Sequence, residues 1–242
     1  MGAWFVLGRR GFVSANTPTP TPTAVIVPGT TFVTYRGHTN QVYAVPWQPH
    51  AQHLVSGGKD DKARVWDAVA PDGKDIYTFI AHSGSVNGLA WSPNGQYIAS
   101  ASLDKTVRVW EATTGINLVV YKGHIDNVRA VAWSPDGMFI ASGSDVPESK
   151  VQVWDANTRA LFLTYTEHTG GIYAIAWSLN GQHIASSSWQ EVRVWDMVQP
   201  AGKTLNTYSD HTGAVHAVAW SHDGKRIASG ADDMTVRIWQ AV

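Results

Sequence analysis

The sequence predicts an all-β protein built from five copies of one unit of four short antiparallel strands. Each copy opens with a His and closes with a Trp, and successive histidines lie 42–44 residues apart. Within each copy, short segments of alternating apolar and polar residues are separated by turn residues, which is typical of antiparallel strands. A period in this range indicates stacked units, none of which buries its apolar face alone. The copies, named repeats 1 to 5, run from His38 to Trp66, His82 to Trp110, His124 to Trp154, His168 to Trp195 and His211 to Trp239.

Each strand of the unit has a recognisable signature. The first strand alternates, as in Val128–Trp133, and a turn with Pro second and Gly last follows at Ser134–Gly137. The second strand is rich in small residues, as in Phe139–Gly143. The third strand ends at the closing Trp, as in Thr106–Trp110, and the fourth is looser, as in Asn117–Tyr121. No segment shows sustained helical periodicity.

The composition of the chain argues against several classes of partner and ligand. The 242-residue chain is 44% hydrophobic and 15% charged with a net charge of −1, so it has no global field to gather nucleic acid or an anionic membrane. The sequence contains no Cys, which excludes disulfides and thiolate metal sites. No apolar run approaches the roughly 20 residues that span a bilayer. The apolar stretch Ala3–Leu7 is too short for a signal-peptide core. We therefore expect no nucleic-acid partner and no membrane insertion, and a cytoplasmic location is favoured.

The first thirty residues differ from the rest of the chain. Asn16–Thr23 carries Pro at every second position, which predicts an extended, semi-rigid linker. The fifteen residues that begin at Met1 have no counterpart in the repeats; they are either a tail or the end of something larger. We predict a tail and linker over 1–30 and a repeat domain over 31–242, with repeats at about 31–67, 75–111, 116–155, 160–196 and 203–239.

Two dipeptides mark the repeats, Gly-His near the start and Trp-Asp at the end. They occur at Gly37-His38, Gly123-His124, Trp66-Asp67, Trp154-Asp155 and Trp195-Asp196. With these marks in register, the chain resembles the WD-repeat (WD40) family, and in particular the regular repeat arrays of its bacterial members. The resemblance implies a β-propeller, in which each four-stranded sheet is a blade around a central channel.

The resemblance also implies how the ring closes. The last repeat has no fourth strand after Trp239, whereas Thr31–Tyr35 matches the fourth strands that precede His82 and His168. In the family, an N-terminal strand completes the last blade. We therefore expect Thr31–Tyr35 to complete a ring of five blades. An open arc of five blades, cut from a seven-bladed parent, is the alternative.

Each repeat offers a His, a Ser and a Trp, and three of them also offer an Asp at one spacing. A Ser-His-Asp triad is the enzymatic interpretation, but a catalytic set occurs once, whereas this set recurs. The resemblance implies instead a structural hydrogen-bond network that runs Asp to His to Ser to Trp. The predicted network residues are His38, Ser56, Asp60 and Trp66; His82, Ser100, Asp104 and Trp110; His124, Ser142 and Trp154; His168, Ser186 and Trp195; and His211, Ser229, Asp233 and Trp239.

Two repeats depart from the pattern. Repeat 3 carries an insertion at Asp145–Ser149, in which Asp145 or Glu148 is a stand-in for the missing Asp. Repeat 4 has no Asp in its turn and places Trp189 there, so we expect the fourth blade to be the least well tied. The only close histidine pair, His50 and His53, lacks a third ligand, and we predict no metal, no cofactor and no catalytic residue.

The propeller resemblance implies a partner-binding face where first strands begin and second-to-third turns emerge. Residues at these positions vary between repeats while the scaffold positions do not, and Tyr, Arg and Trp among them are the types that usually carry interface energy. The predicted face residues are Gln41, Tyr43, Lys59, Ser85, Asn87, Leu103, Asn127, Arg129, Gly171, Tyr173, Trp189, Ala214, His216 and Asp232.

Three functions are compatible with these features. The first is a monomeric, non-catalytic scaffold that presents this face to a protein or peptide. The second is a sensory or regulatory WD-repeat segment of a larger signalling protein such as a kinase fusion, which the Pro/Thr linker suggests. The third is a propeller enzyme, for which the sequence offers no singular polar cluster.

Overall fold

A computed structural model describes residues 31, 33–70, 73–198 and 201–242 of the chain. The predicted tail and linker over 1–30 lie outside the described residues. Within the described residues every regular element is a β-strand, and the strands form five separate antiparallel sheets, which confirms the all-β class with five repeated blades.

The strands follow the order of the sequence, with one blade per repeat. Blade 1 contains β1 (Val42–Ala44), β2 (His53–Gly58), β3 (Ala63–Asp67) and β4 (Asp75–Phe79). Blade 2 contains β5 (Val86–Trp91), β6 (Tyr97–Ser102), β7 (Val107–Glu111) and β8 (Asn117–Tyr121). Blade 3 contains β9 (Val128–Trp133), β10 (Phe139–Ser144), β11 (Val151–Asp155) and β12 (Leu161–Tyr165). Blade 4 contains β13 (Ile172–Trp177), β14 (His183–Ser188), β15 (Glu191–Asp196) and β16 (Thr204–Tyr208), and blade 5 contains β17 (Val215–Trp220), β18 (Arg226–Ala231) and β19 (Val236–Gln240).

Each blade is a meander in which consecutive strands pair, and the first strands of successive blades contact one another. The first strand of blade 1 is shorter than the segment Val42–Trp47 that the alternation predicts. Pro46 has no N–H to donate to a ladder. The pairing therefore stops at Ala44 and resumes as one isolated bridge between Trp47 and Leu54.

The hydrophobic core lies between neighbouring blades. Val107 and Val109 on the third strand of blade 2 belong to one buried cluster with Val128 and Val131 on the first strand of blade 3. At each of the four junctions between successive blades, the last aromatic residue of a fourth strand stacks on the closing Trp of the next blade. Ring centroids lie 4.4–4.7 Å apart in the pairs Phe79–Trp110, Tyr121–Trp154, Tyr165–Trp195 and Tyr208–Trp239. Each blade thus contributes half of the core that it shares with the next.

The outer face of blade 5 lacks such a neighbour in the described structure. Val236 is 75% exposed and Ile238 is 69% exposed, whereas the equivalent residues of the other four blades are at most 3% exposed. The sheet of blade 5 has three strands, and no described residue of Thr31 to Tyr35 pairs with β19. Closure of the ring by this segment therefore stays a prediction.

Tyr35 nevertheless occupies the position that the fourth-strand aromatic has at the other junctions. Its ring stacks on Trp66 with centroids 4.7 Å apart and an angle of 6° between the planes. The edge of the same ring faces His38, as Tyr208 faces His211 at the junction of blades 4 and 5. Burial and the hydrogen bond from its hydroxyl to Asp75 raise the pKa of Tyr35 to about 12.

Candidate functional site

A buried hydrogen-bond chain ties the strands of each blade together. In blade 2, His82 Nδ1 lies 2.8 Å from Asp104 Oδ2, and His82 Nε2 lies 2.8 Å from Ser100 Oγ. The indole Nε1 of Trp110 donates to the same Ser100 oxygen at 3.2 Å. These hydrogen bonds therefore connect four parts of the blade: the loop before the first strand, the second strand, the turn and the third strand. Satisfied buried networks of this kind specify one packing.

The same hydrogen-bond network is present in all five blades, and each network includes a carboxylate. In every repeat the Ser lies 18 residues after the His, and the acid lies 22–24 residues after it. The five acids lie 2.8–3.2 Å from the histidine Nδ1 and are Asp60, Asp104, Glu148, Glu191 and Asp233.

Glutamates complete the two irregular repeats. In blade 3, Glu148 Oε2 lies 3.2 Å from His124 Nδ1, so of the two proposed stand-ins it is Glu148 that serves. Repeat 4 has no Asp, as its sequence shows, but its network is complete because Glu191 Oε1 lies 3.0 Å from His168 Nδ1. Glu191 begins the third strand, and its longer side chain replaces an aspartate in the turn. The basis for expecting blade 4 to be the least well tied is therefore removed.

The network carboxylates are held in their charged form. Burial alone would raise the pKa of Glu191, but hydrogen bonds from His168 and Arg193 outweigh it and lower this pKa to about 2. The pKa of Asp104 is likewise far below its usual range, because hydrogen bonds from His82 and Thr106 outweigh the effect of burial. Burial lowers the pKa of the His168 imidazole despite its carboxylate partner.

The network serines are closed to solvent, as Ser100 shows with no exposed surface. A nucleophile has to meet its substrate, whereas this hydroxyl meets only its own blade. The repeated His, Ser and acid sets therefore act as ties between strands.

One cavity of about 320 Å³ lies where the first strands of all five blades begin. Each blade contributes the second residue of its first strand, and the turn of blade 2 adds Leu103. The lining residues are Tyr43, Asn87, Leu103, Arg129, Tyr173 and His216. All six are among the predicted face residues.

A β-bulge explains why these side chains reach the cavity. In blade 2, Val86 pairs with Ser102 and Gly88 pairs with Ala101, so Asn87 between them has no partner across the ladder. The register skips the equivalent residue in the other four blades as well. A bulge re-aims the side chain of the extra residue. Five bulges at the same place therefore direct five side chains to one cavity.

The remaining predicted face residues do not line the cavity. Six of them hold the turns through their backbones, because the carbonyls of Gln41, Ser85, Asn127 and Ala214 accept at 2.8–3.0 Å from the amides of Lys59, Leu103, Asp145 and Asp232. The predicted face residues outside the lining are Gln41, Lys59, Ser85, Asn127, Gly171, Trp189, Ala214 and Asp232.

A row of contacts runs across the cavity from blade 3 to blade 5. Asp145 Oδ2 accepts a hydrogen bond from Arg129 Nη2 at 2.5 Å, and the Arg129 guanidinium lies 5.7 Å from the Tyr173 ring centroid. The edge of Tyr173 meets His216 with centroids 5.0 Å apart, and His216 Nε2 lies 3.0 Å from Asp232 Oδ1. The sequence did not mark Asp145 as a face residue, because the insertion in repeat 3 hides its equivalence to Leu103 and Asp232.

Trp189 lies on the rim of this face, outside the cavity. It is 59% exposed, its φ is 24°, and its carbonyl accepts a hydrogen bond from Val215 N at 2.6 Å. The indole packs over Gly170, where a Cβ would lie 2.2 Å from Trp189 Cδ1. The shortened turn of repeat 4 thus presents an aromatic surface at the end of the blades where the first strands begin.

Within the part of the chain that the structure describes, no three side chains of His, Cys, Asp or Glu converge as metal ligands would. In that part of the chain there is also no helix with the length and apolarity to cross a bilayer.

The comparisons with known proteins assign the family. Five matches to the WD40 family, described as "WD domain, G-beta repeat", cover residues 29–67, 73–111, 115–155, 160–196 and 202–240. The chain belongs to this family. A search of curated proteins gives no match. WD40 repeats generally mediate protein–protein interactions as scaffolds, and domains built from them are typically non-enzymatic.

Proposed function

We propose that this WD40-repeat chain is a non-catalytic scaffold that binds a protein or peptide on the face where the cavity opens. One observation carries the proposal: five equivalent bulge residues, one from each blade, line a single cavity and are of four different types, with only the Tyr of blades 1 and 4 repeated. The network positions repeat and cannot distinguish one partner from another. The bulge positions do not follow the repeat, so together they form an asymmetric surface that recognises one ligand orientation.

The residue types on this face favour a protein or peptide partner. Tyr43, Arg129 and Tyr173 line the cavity, and Trp189 is exposed in a turn at the same end of the strands, where its carbonyl accepts from Val215 N. Tyr, Trp and Arg are enriched at interface hot spots, because large rigid side chains bury much area for few ordered torsions. A volume of about 320 Å³ is at the small end of ligand cavities and suits one or two peptide side chains.

In this proposal residues 31–242 form the binding domain and 1–30 form a tail and linker. A single copy of the chain suffices for the site. Tyr43 from the first blade and His216 from the last blade line the same cavity, so no second copy is needed to complete it.

The test is a selection from a random-peptide display library on the immobilised full chain. We expect enrichment of peptides that no longer bind the double variant Arg129→Ala/Tyr173→Ala. The control double variant Arg226→Ala/Phe162→Ala removes an exposed arginine and an exposed aromatic far from the cavity, and it retains binding. Equal binding to the wild type and to the cavity variant would place the site elsewhere and contradict the proposal.

A further inference from the structure

We propose that the cavity recognises a carboxylate, namely a Glu or Asp side chain of the bound peptide, and that Arg129 is the residue that selects it. This inference rests on the proposed function and names the chemistry of its ligand.

The cavity lining offers donors and no carboxylate. Of its six residues, Arg129 carries a permanent charge, while Asn87, Tyr173 and His216 carry N–H or O–H groups. Two acids outside the lining are paired with lining residues: Asp145 pairs with Arg129, and Asp232 pairs with His216. A ligand that enters the cavity therefore meets donors on the lining itself, which suits an acceptor-only group.

The Arg129 guanidinium is held in place before any ligand arrives. Asp145 fixes Nη2 on one side, and the Tyr173 ring lies 5.7 Å away on another. Asp145 is itself anchored, because its Oδ1 accepts from Val146 N at 2.9 Å and its amide donates to Asn127 O at 2.8 Å. A preorganised guanidinium loses little entropy on binding, which strengthens recognition.

Most of the Arg129 donors are still free in the described structure. Nη2 donates to Asp145, whereas Nε is buried and has no hydrogen-bond partner among the described residues. Since a guanidinium has five N–H groups in a planar fork, the remaining edge matches the two oxygens of a carboxylate.

An unpartnered Nε alone would not identify a site, because Arg64 and Arg108 share this feature. Arg64 donates to Asp75 and Thr78, both on the neighbouring strand β4 of blade 1, and does not line the cavity. Arg129 differs from it because Arg129 lines the cavity and its side chain is 37% exposed, against 12% for Arg64. Arg64 is therefore the matched control for a substitution of Arg129.

The charge balance favours a carboxylate over a phosphate group. Asp145 offsets the charge of Arg129, so the pair offers directed hydrogen bonds without a strong positive field. Phosphate recognition usually relies on clusters of arginines, which this lining lacks. The apolar side chain of Leu103 and the ring of Tyr43 complete the lining. They suit an apolar residue next to the acidic one.

The experiment uses the peptides that the display selection returns. We expect an Asp or Glu at one fixed position in them. A synthetic peptide with Glu at that position is compared with its Gln and phosphoserine forms by fluorescence polarisation. For the wild type, Glu to Gln weakens binding about tenfold, as expected for loss of a charge-assisted hydrogen bond. With Arg129→Met the Glu and Gln peptides bind alike, and with Arg64→Met the tenfold preference is retained.

Each other outcome separates the two proposals. If the peptides lose binding with the cavity double variant but carry no fixed acid, or if Gln binds as well as Glu, the carboxylate proposal is wrong and the scaffold proposal stands. If phosphoserine binds tenfold more tightly than Glu, the ligand group is a phosphate. If no selected peptide depends on the cavity residues, both proposals fail.

Discussion

The guanidinium of Arg129 in blade 3 lies 5.7 Å from the ring centroid of Tyr173 in blade 4. Both residues occupy the bulge of their first strand, so the contact bridges two blades on the face that contains the cavity. Tyr173 continues the row to His216 of blade 5. The variable residues of the face therefore position one another, and substitutions within the row act on shared contacts.

This contact predicts non-additive effects on binding. For a selected peptide, the losses caused by Arg129→Ala and Tyr173→Ala should differ from additivity by roughly 0.5–1 kcal/mol, because each substitution removes the same cation–π contact. The control cycle pairs Arg129→Ala with Leu103→Ala and should be additive within about 0.5 kcal/mol. Titrations of the four proteins of each cycle give both values. Additive losses for Arg129 and Tyr173 would mean that the contact has no energetic role.

We predict that Asp104→Ala destabilises the protein more than Trp189→Ala. The Asp104 carboxylate accepts hydrogen bonds from His82, from the amides of Ser83 and Thr106, and from the Thr106 hydroxyl. Its removal leaves these donors without an acceptor, which lowers the free energy of unfolding by roughly 1–3 kcal/mol. The exposed Trp189 side chain leaves no buried group unpaired. Urea unfolding of both variants measures the difference, and a larger loss for Trp189→Ala would contradict the network account.

Ionisation of Glu191 gives a pH test of the fourth blade. Its pKa of about 2 in the folded chain is below its ordinary value of 4.5. Because folding lowers the pKa of Glu191, its ionised carboxylate stabilises the folded state, and this contribution is complete at pH values above 4.5. The contribution is lost as the pH falls from 4.5 towards 2. Carboxyl carbon NMR at pH 3.5 should therefore show Glu191 still ionised. A midpoint near 4.5 would show that Glu191 does not bind His168 as described.

A space beside blade 1 that no described residue fills supports closure of the ring. Tyr35, Val42, Val45 and Trp66 are among the residues that line a space of about 570 Å³. At each of the other junctions, an apolar pair on a third strand, Ala63 and Val65 in blade 1 and two valines in blades 2 to 4, contributes to the core against the next blade. The exposed residues Val236 and Ile238 on β19 are the equivalent pair of blade 5, and they have no neighbouring blade to pack against in the described structure. We propose that β19 fills this space when the segment at Tyr35 pairs with it.

The register of this pairing follows from blade 4, where Arg193 pairs with Thr207. The equivalent pair is Arg237 and Thr34, and facing residues of antiparallel strands lie roughly 4.5–5.5 Å apart at Cα, within reach of a disulfide. Because the chain has no Cys, oxidised Thr34→Cys/Arg237→Cys should form one intramolecular bond that is visible as a faster-migrating monomer.

Controls distinguish the alternatives for closure. A disulfide-linked dimer would mean that two copies exchange this strand, and no disulfide would mean that the blades form an open arc. Deletion of residues 1–36 should lower the melting temperature and promote aggregation, because it exposes an edge strand. An unchanged melting temperature would contradict closure by this segment.

Repetition explains how much the sequence predicted. The blades and the His, Ser and Trp positions recur at one spacing in every repeat, so internal comparison identifies them. Glu191 was missed because it lies 23 residues after its His, is longer than Asp and follows the turn. The variable positions predict a partner-binding face, and six of them line one cavity. Their convergence on one cavity depends on a bulge in each first strand, and the residue pattern does not mark a bulge because it is set by pairing with the second strand.

The central claim is that the partner binds on the face where the first strands begin, and methyl NMR of leucine-labelled protein tests it most directly. Leu103 lines the cavity, Leu118 is exposed on a fourth strand, and Leu179 is exposed in a first-to-second turn at the other end of the strands. On titration with a selected peptide, the Leu103 methyl signals should shift most, while those of Leu118 and Leu179 stay in place. A shift of Leu118 or Leu179 with Leu103 unchanged would contradict the account, because the peptide would then bind the blade edge or the opposite face.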